Sequence, residues 1–146
     1  VKPLKQKNRA QASIEYLIVL SAFLALLALF TPIAAKIYYS SLFFLDARNA
    51  QSFSHEIKSA LKQMELLEDG SSKNLSASPL NEWMLSVNGE GIQIKIESAE
   101  LGKTKILEQK FESQQKIEES EFTLKKNSLI TVSKSNNIIS IEYSQT

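Results

Sequence analysis

Glu15 is the residue in this chain whose position most needs a chemical reason. It stands at the head of an uncharged run that extends from Tyr16 to Ala35. An ionised carboxylate in apolar surroundings is costly unless a partner is buried with it. Ala10, Gln11 and Ser13 lie just before it. Ala10 is a small residue that ends the basic stretch. Cleavage between Ala10 and Gln11 would create an α-amino group four residues from Glu15. An amine is the partner that a carboxylate in such a place lacks, and a glutamate near a helix start also suits the helix dipole.

The elements around these residues fit that chemistry. Residues 1–10 hold Lys2, Lys5, Lys7 and Arg9 and no acid, so they form a basic leader. The following 136 residues carry 13 basic and 16 acidic side chains out of totals of 17 and 16, a mildly acidic remainder. A nucleic-acid binder would need a basic patch on its folded part, so no nucleic-acid partner is expected. In an ordinary secretory signal the cut follows the apolar segment and discards it. Here the small residue and the basic leader both precede it, so the cut would leave the apolar helix on the mature chain. The leader is expected on the cytoplasmic side. Twenty helical residues span about 30 Å, the thickness of a bilayer's hydrocarbon core.

The arrangement Ala10-Gln11-Ala12-Ser13-Ile14-Glu15 opening an apolar helix resembles the processing site of archaeal type IV pilins, described as class III signal peptides. That family has a basic leader, a small residue before the cut, then Gln-x-Ser-x-Glu-x-x-x-Leu. Val19 stands at the last position here, with Leu20 beside it. Bacterial pilins of the tight-adherence type open in a similar way. The resemblance covers about residues 5–35 and leaves the rest of the chain unassigned. It implies a prepilin cut by a prepilin peptidase between Ala10 and Gln11, with Gln11, Ser13 and Glu15 as the processing motif. It also implies storage in the cytoplasmic membrane with the head outside, then assembly with other pilin subunits into a cell-surface filament. Glu15 of one subunit would meet the new amine of a neighbour and report axial register. Pro32 falls where such pilins commonly have a proline, and a helix kink is expected there. Ser21, Ala22, Ala25, Ala28, Ala34 and Ala35 would let helices approach closely.

The helix is expected to continue well past the apolar run. Phe43, Ala47, Ala50, Phe53, Ile57, Ala60, Met64 and Leu67 recur at helical spacing, with polar residues between them. Residues 11–69 therefore read as one long helix, hydrophobic over 11–36 and amphipathic over 37–69, with Gly70 as its stop. From about Ser13 such a helix would be roughly 85 Å long. That is too long to lie inside a domain of this size, so its first half must be buried in something else. Residues 70–80 read as a linker.

Residues 81–146 read as the head. Gly91–Glu97, Phe122–Leu124, Leu129–Val132 and Ile139–Tyr143 alternate apolar and polar, with turn signals at Asn88-Gly89 and Ser135-Asn136-Asn137. About five or six short, mainly antiparallel strands are expected, packed on the amphipathic half of the helix. The fold class is α+β: a long N-terminal hydrophobic helix followed by a small antiparallel β-rich head.

The remaining residues have plain readings. His55 is a rim residue of the helix. Trp83 and Tyr143 are packing residues. Glu118, Glu119 and Glu121 form a solvated strand edge or loop. Asn74-Leu75-Ser76 is an N-glycosylation sequon, which makes Asn74 an acceptor candidate. With no cysteine and one histidine, no metal site, catalytic residue or cofactor is expected, and the chain is not read as an enzyme. The competing reading is an uncleaved membrane-anchored extracellular binding module.

Overall fold

In a computed structural model the backbone is described from residue 4 to 145, and the side chains of Gln11 and of 13–145. Residues 1–3 of the basic leader, its remaining side chains including Ala10, and Thr146 lie outside the described residues. The chain divides into two units, Val1–Tyr39 and Ser40–Thr146. One α-helix, α1, spans Leu4–Leu66 with Pro32 inside it. It is helical on both sides of the proline.

The head builds on the apolar stripe of α1. Ala47, Ala50, Phe53, Ile57, Ala60, Leu61 and Met64 are all buried. Fully burying one side chain such as Ile57 or Leu61 contributes about 1.5–3 kcal/mol. The polar residues between them, Arg48, Gln51, His55 and Lys62 among them, are exposed.

Eight strands follow: β1 Ser72–Ala77, β2 Trp83–Asn88, β3 Gly91–Ser98, β4 Lys103–Lys110, β5 Lys116–Ile117, β6 Ser120–Leu124, β7 Ser128–Ser135 and β8 Ile138–Gln145. They form two four-stranded sheets, ordered β1-β7-β8-β5 and β4-β3-β2-β6. Every pairing is antiparallel except the two-residue match of β5 with β8. Alternate residues of each inner strand point inward: Leu85 and Val87, Ile92, Ile94 and Ile96, Ile130 and Val132, Ile139 and Ile141. With the helix stripe they make one core. The α+β architecture, a long N-terminal apolar helix followed by antiparallel-rich sheets, is as expected.

The turn signals are realised. Asn88 Oδ1 accepts from the backbone N–H groups of Glu90 (3.0 Å) and Gly91 (2.9 Å), closing the β2–β3 hairpin. A Cβ on Gly91 would lie 2.8 Å from the Gln109 carbonyl oxygen, so β4 demands glycine there. Asn136 and Asn137 have φ of 52° and 59°. Two consecutive left-handed residues suit the two-residue hairpin between β7 and β8, and asparagine tolerates that region.

Several boundaries differ from the sequence reading. The helix begins at Leu4, not near Ser13, and ends at Leu66, not 69. Gly70 is no helix cap: with φ of 92° it turns the chain into β1, and its N–H donates to the Lys134 carbonyl at 2.8 Å. The stretch expected as a linker over 70–80 is largely β1, an edge strand zipped to β7 from Ser72 to Ala77. Its polar composition hid it, because Leu75 and Ala77 are the residues it buries. The strands outnumber the expectation because the edge strands β1 and β4 lack a clean alternation of their own. The head starts before residue 81, since Ser40–Leu66 of α1 belongs to it.

The last turn of α1 contains no basic residue of its own. Lys134 on β7 supplies one. Its side chain is 5% exposed, and its Nζ donates to the Leu67 carbonyl at 2.7 Å and the Glu65 carbonyl at 3.5 Å. Gln115 Nε2 also donates to the Glu65 carbonyl, at 3.2 Å. These groups satisfy carbonyls that a helix end leaves open, and the ammonium meets the negative end of the dipole. Lys134→Met keeps the aliphatic stem and removes the donor. It is expected to lower stability by about 1–2 kcal/mol, read as a drop in the urea midpoint with an unchanged slope.

Candidate functional site

The N-terminal unit presents its chemistry on an open helical surface. From Ser13 to Tyr39 every side chain is exposed. Among them are Ile14, Leu17, Ile18, Val19, Phe23, Leu24 and Phe30, each more than half exposed. Among the described residues one helix, Ser13–Leu66, is long and apolar enough to cross a membrane. In its uncharged run the Ser21 and Thr31 hydroxyls are satisfied within the helix: Ser21 Oγ donates to the Leu17 carbonyl and Thr31 Oγ1 to the Leu27 carbonyl, both at 2.7 Å. Such back-bonding lets a hydroxyl enter an apolar environment without an outside partner. Tyr16 sits at one end of the uncharged run, and Lys36, Tyr38 and Tyr39 at the other. Tyr38 and Tyr39 make an edge-on ring contact at 5.6 Å. Amphipathic rings at both ends of an apolar stretch suit the two interfaces of a bilayer.

Gln11, Ser13 and Glu15 lie on the same helix. Gln11 Nε2 donates to Glu15 Oε1 at 3.2 Å, the i, i+4 neighbour. The Glu15 carboxylate is exposed, and no salt bridge holds it among the described residues. The peptide bond between Ala10 and Gln11 lies within α1, not ahead of it as the leader reading implied.

The second unit holds a constellation that sequence reasoning missed. Asp46 on α1 is fully buried. Its Oδ1 accepts from Leu80 N–H (3.0 Å) and Trp83 Nε1–H (2.9 Å). Its Oδ2 accepts from Asn81 N–H (2.9 Å) and Asn81 Nδ2–H (3.0 Å). One carboxylate thus answers four donors where the chain enters β2. Phe53 packs on the Trp83 ring at 6.0 Å between centroids. A signal existed: Asp46 falls three residues after Phe43 and four before Ala50, on the apolar stripe. A buried acid there needs donors, and a buried tryptophan needs an acceptor for its N–H. The arrangement fixes the start of β2 against α1.

His55 is exposed, with Nδ1 3.0 Å from Gln109 Nε2. Tyr143 is partly buried and stacks on Phe122. Glu118, Glu119 and Glu121 are exposed at the start of β6. Asn74 is exposed on β1, and its Oδ1 accepts from Thr131 Oγ1 at 3.0 Å. Among the described residues no three His, Cys, Asp or Glu side chains gather into a metal-binding group. No family model matches the chain, and neither a curated protein nor a solved structure matches it.

Proposed function

We propose that this chain is a structural subunit, a prepilin, of a type IV pilus-like extracellular filament. A prepilin peptidase would remove the leader between Ala10 and Gln11. The observation that carries the reading is an exposed, uncharged helical surface from Tyr16 to Ala35 headed by one exposed carboxylate, Glu15, on a helix that ends in a folded β head. The apolar surface needs cover. The membrane covers it in the stored precursor, with the head outside, and other subunits cover it in the filament. The chain's task in this reading is assembly, and it carries out no reaction itself.

Glu15 gains its partner on processing. The α-amine of Gln11 in one subunit meets Glu15 of a neighbour, and a wrongly placed subunit leaves a buried unpaired charge at a cost of about 3–5 kcal/mol. The small residues along the helix permit close packing.

The test is the mass of the N-terminal peptide of protein recovered from cells. A mature N-terminus at Gln11 is expected. Protein that retains the leader while its head is displayed outside would refute the prepilin reading and favour the uncleaved anchor.

A further inference from the structure

The sheet β4-β3-β2-β6 has two free edges, since β4 pairs with β3 alone and β6 with β2 alone. The edges are opposite in charge. Strand β4 carries Lys103, Lys105 and Lys110, all exposed. Its one acid, Glu108, is held across the sheet by Gln93 Nε2 at 2.9 Å. At the other edge, Glu118 and Glu119 lead into β6, which carries Glu121, and all three are exposed. No base lies between Glu118 and Leu124. Among the described residues none of these six side chains makes an intramolecular salt bridge.

We propose that the lysine edge of β4 docks against the acidic edge of β6 on a second copy of this chain, and that this contact joins heads side by side in the filament. The inference rests on the filament reading above. A charged residue on an edge is enough to discourage unwanted strand pairing, and either sign would serve on both edges. Segregation of the signs does something further. Like edges repel and unlike edges attract, so complementary charge selects partner and orientation. Each copy offers one edge of each kind, so the contact is head-to-tail. It leaves a free edge at both ends of any row, which is the condition for an open filament.

The test uses the full chain in cells that make filaments, scored as sheared filament relative to the membrane pool. K103E/K105E/K110E places acid against acid at each contact, and E118K/E119K/E121K places base against base. Each is expected to lower filament yield about tenfold or more, as like charges facing one another at an interface do. The six-fold variant that combines them restores opposite signs with the edges exchanged, and its yield should return towards wild type. Glutamine at the same lysines, and separately at the same glutamates, preserves side-chain character without repulsion and should cost a few-fold. It keeps the test decisive if a reversal variant misfolds. Wild-type yield from all variants, or failure of the combined variant while its urea midpoint is unchanged, overturns the inference alone. Absence of filaments from the wild type, with the leader retained, overturns the filament reading instead.

Discussion

Asp46→Ala is expected to bring the head close to unfolding. Four donors converge on that carboxylate, two from the backbone at Leu80 and Asn81 and two from the side chains of Asn81 and Trp83. Removal of the carboxylate leaves these neutral donors desolvated without an acceptor, at about 1–3 kcal/mol for each that stays unsatisfied. Domains of this size are stable by about 5–15 kcal/mol, so the loss is a large fraction of the whole. Trp83 is the one tryptophan, is 1% exposed and donates to Asp46 directly, so its fluorescence reports the transition in urea. Asp46→Asn retains shape and one acceptor oxygen but sets an amide against N–H donors. It should cost about 1–3 kcal/mol. If Asp46→Ala changed stability by less than about 0.5 kcal/mol, as a surface substitution would, the carboxylate would not be holding this part of the head.

The second large effect concerns assembly. Glu15→Ala is expected to leave processing intact and to abolish or severely reduce filaments. The substitution removes an exposed side chain whose one hydrogen bond among the described residues is to Gln11, so the helix should tolerate it. Alanine is also the better helix former. The precursor should still be inserted and cut, with Gln11 as the new terminus. What is lost is the acceptor for a neighbour's amine, so an apolar bundle would bury a charged terminus without compensation. Glu15→Gln should resemble Glu15→Ala, because an amide preserves shape but not charge. The readout is the ratio of sheared filament to processed subunit in the membrane. Wild-type ratios from both variants would show that register is set elsewhere.

The N-terminal half of the fold was legible because its signals are long. An uncharged run of 20 residues and a stripe recurring over several turns leave little choice but helix. The stripe's inner members, Ala47 to Met64, are buried as the spacing requires, whereas Leu67 is 46% exposed because the helix has already ended. Strand β3 was readable from three isoleucines at alternate positions. β1 and β4 were not. β1 buries two residues, and β4 places Lys105 across from buried Ile96 and Leu107 across from Ile94. Such edge strands take their conformation from the neighbour they pair with, and their own side-chain pattern says little. Asp46 was missed for a related reason. Its role depends on Leu80, Asn81 and Trp83, more than thirty residues away, and no local periodicity links them. Ala10, Gln11, Ser13 and Glu15, by contrast, fall within six consecutive residues, so the motif proposed for processing can be read locally.

The buried stretch of α1 is clamped at both ends. Asp46 holds it near the start of β2. Near its far end, Glu65 Oε1 accepts from Ser113 Oγ at 2.5 Å and from Gln114 N–H at 3.1 Å, while Lys134 closes the last carbonyls. If the chain assembles as proposed, tension on the filament would enter the head along this helix. A pull towards the N-terminus cannot draw the rod out of its socket one turn at a time. Polar bonds at both ends must rupture and the apolar stripe must slide past the sheets together. Resistance to forced unfolding is governed by the barrier to that concerted slip rather than by equilibrium stability. Asp46, nearest the loaded end, would act as the mechanical fuse of the subunit.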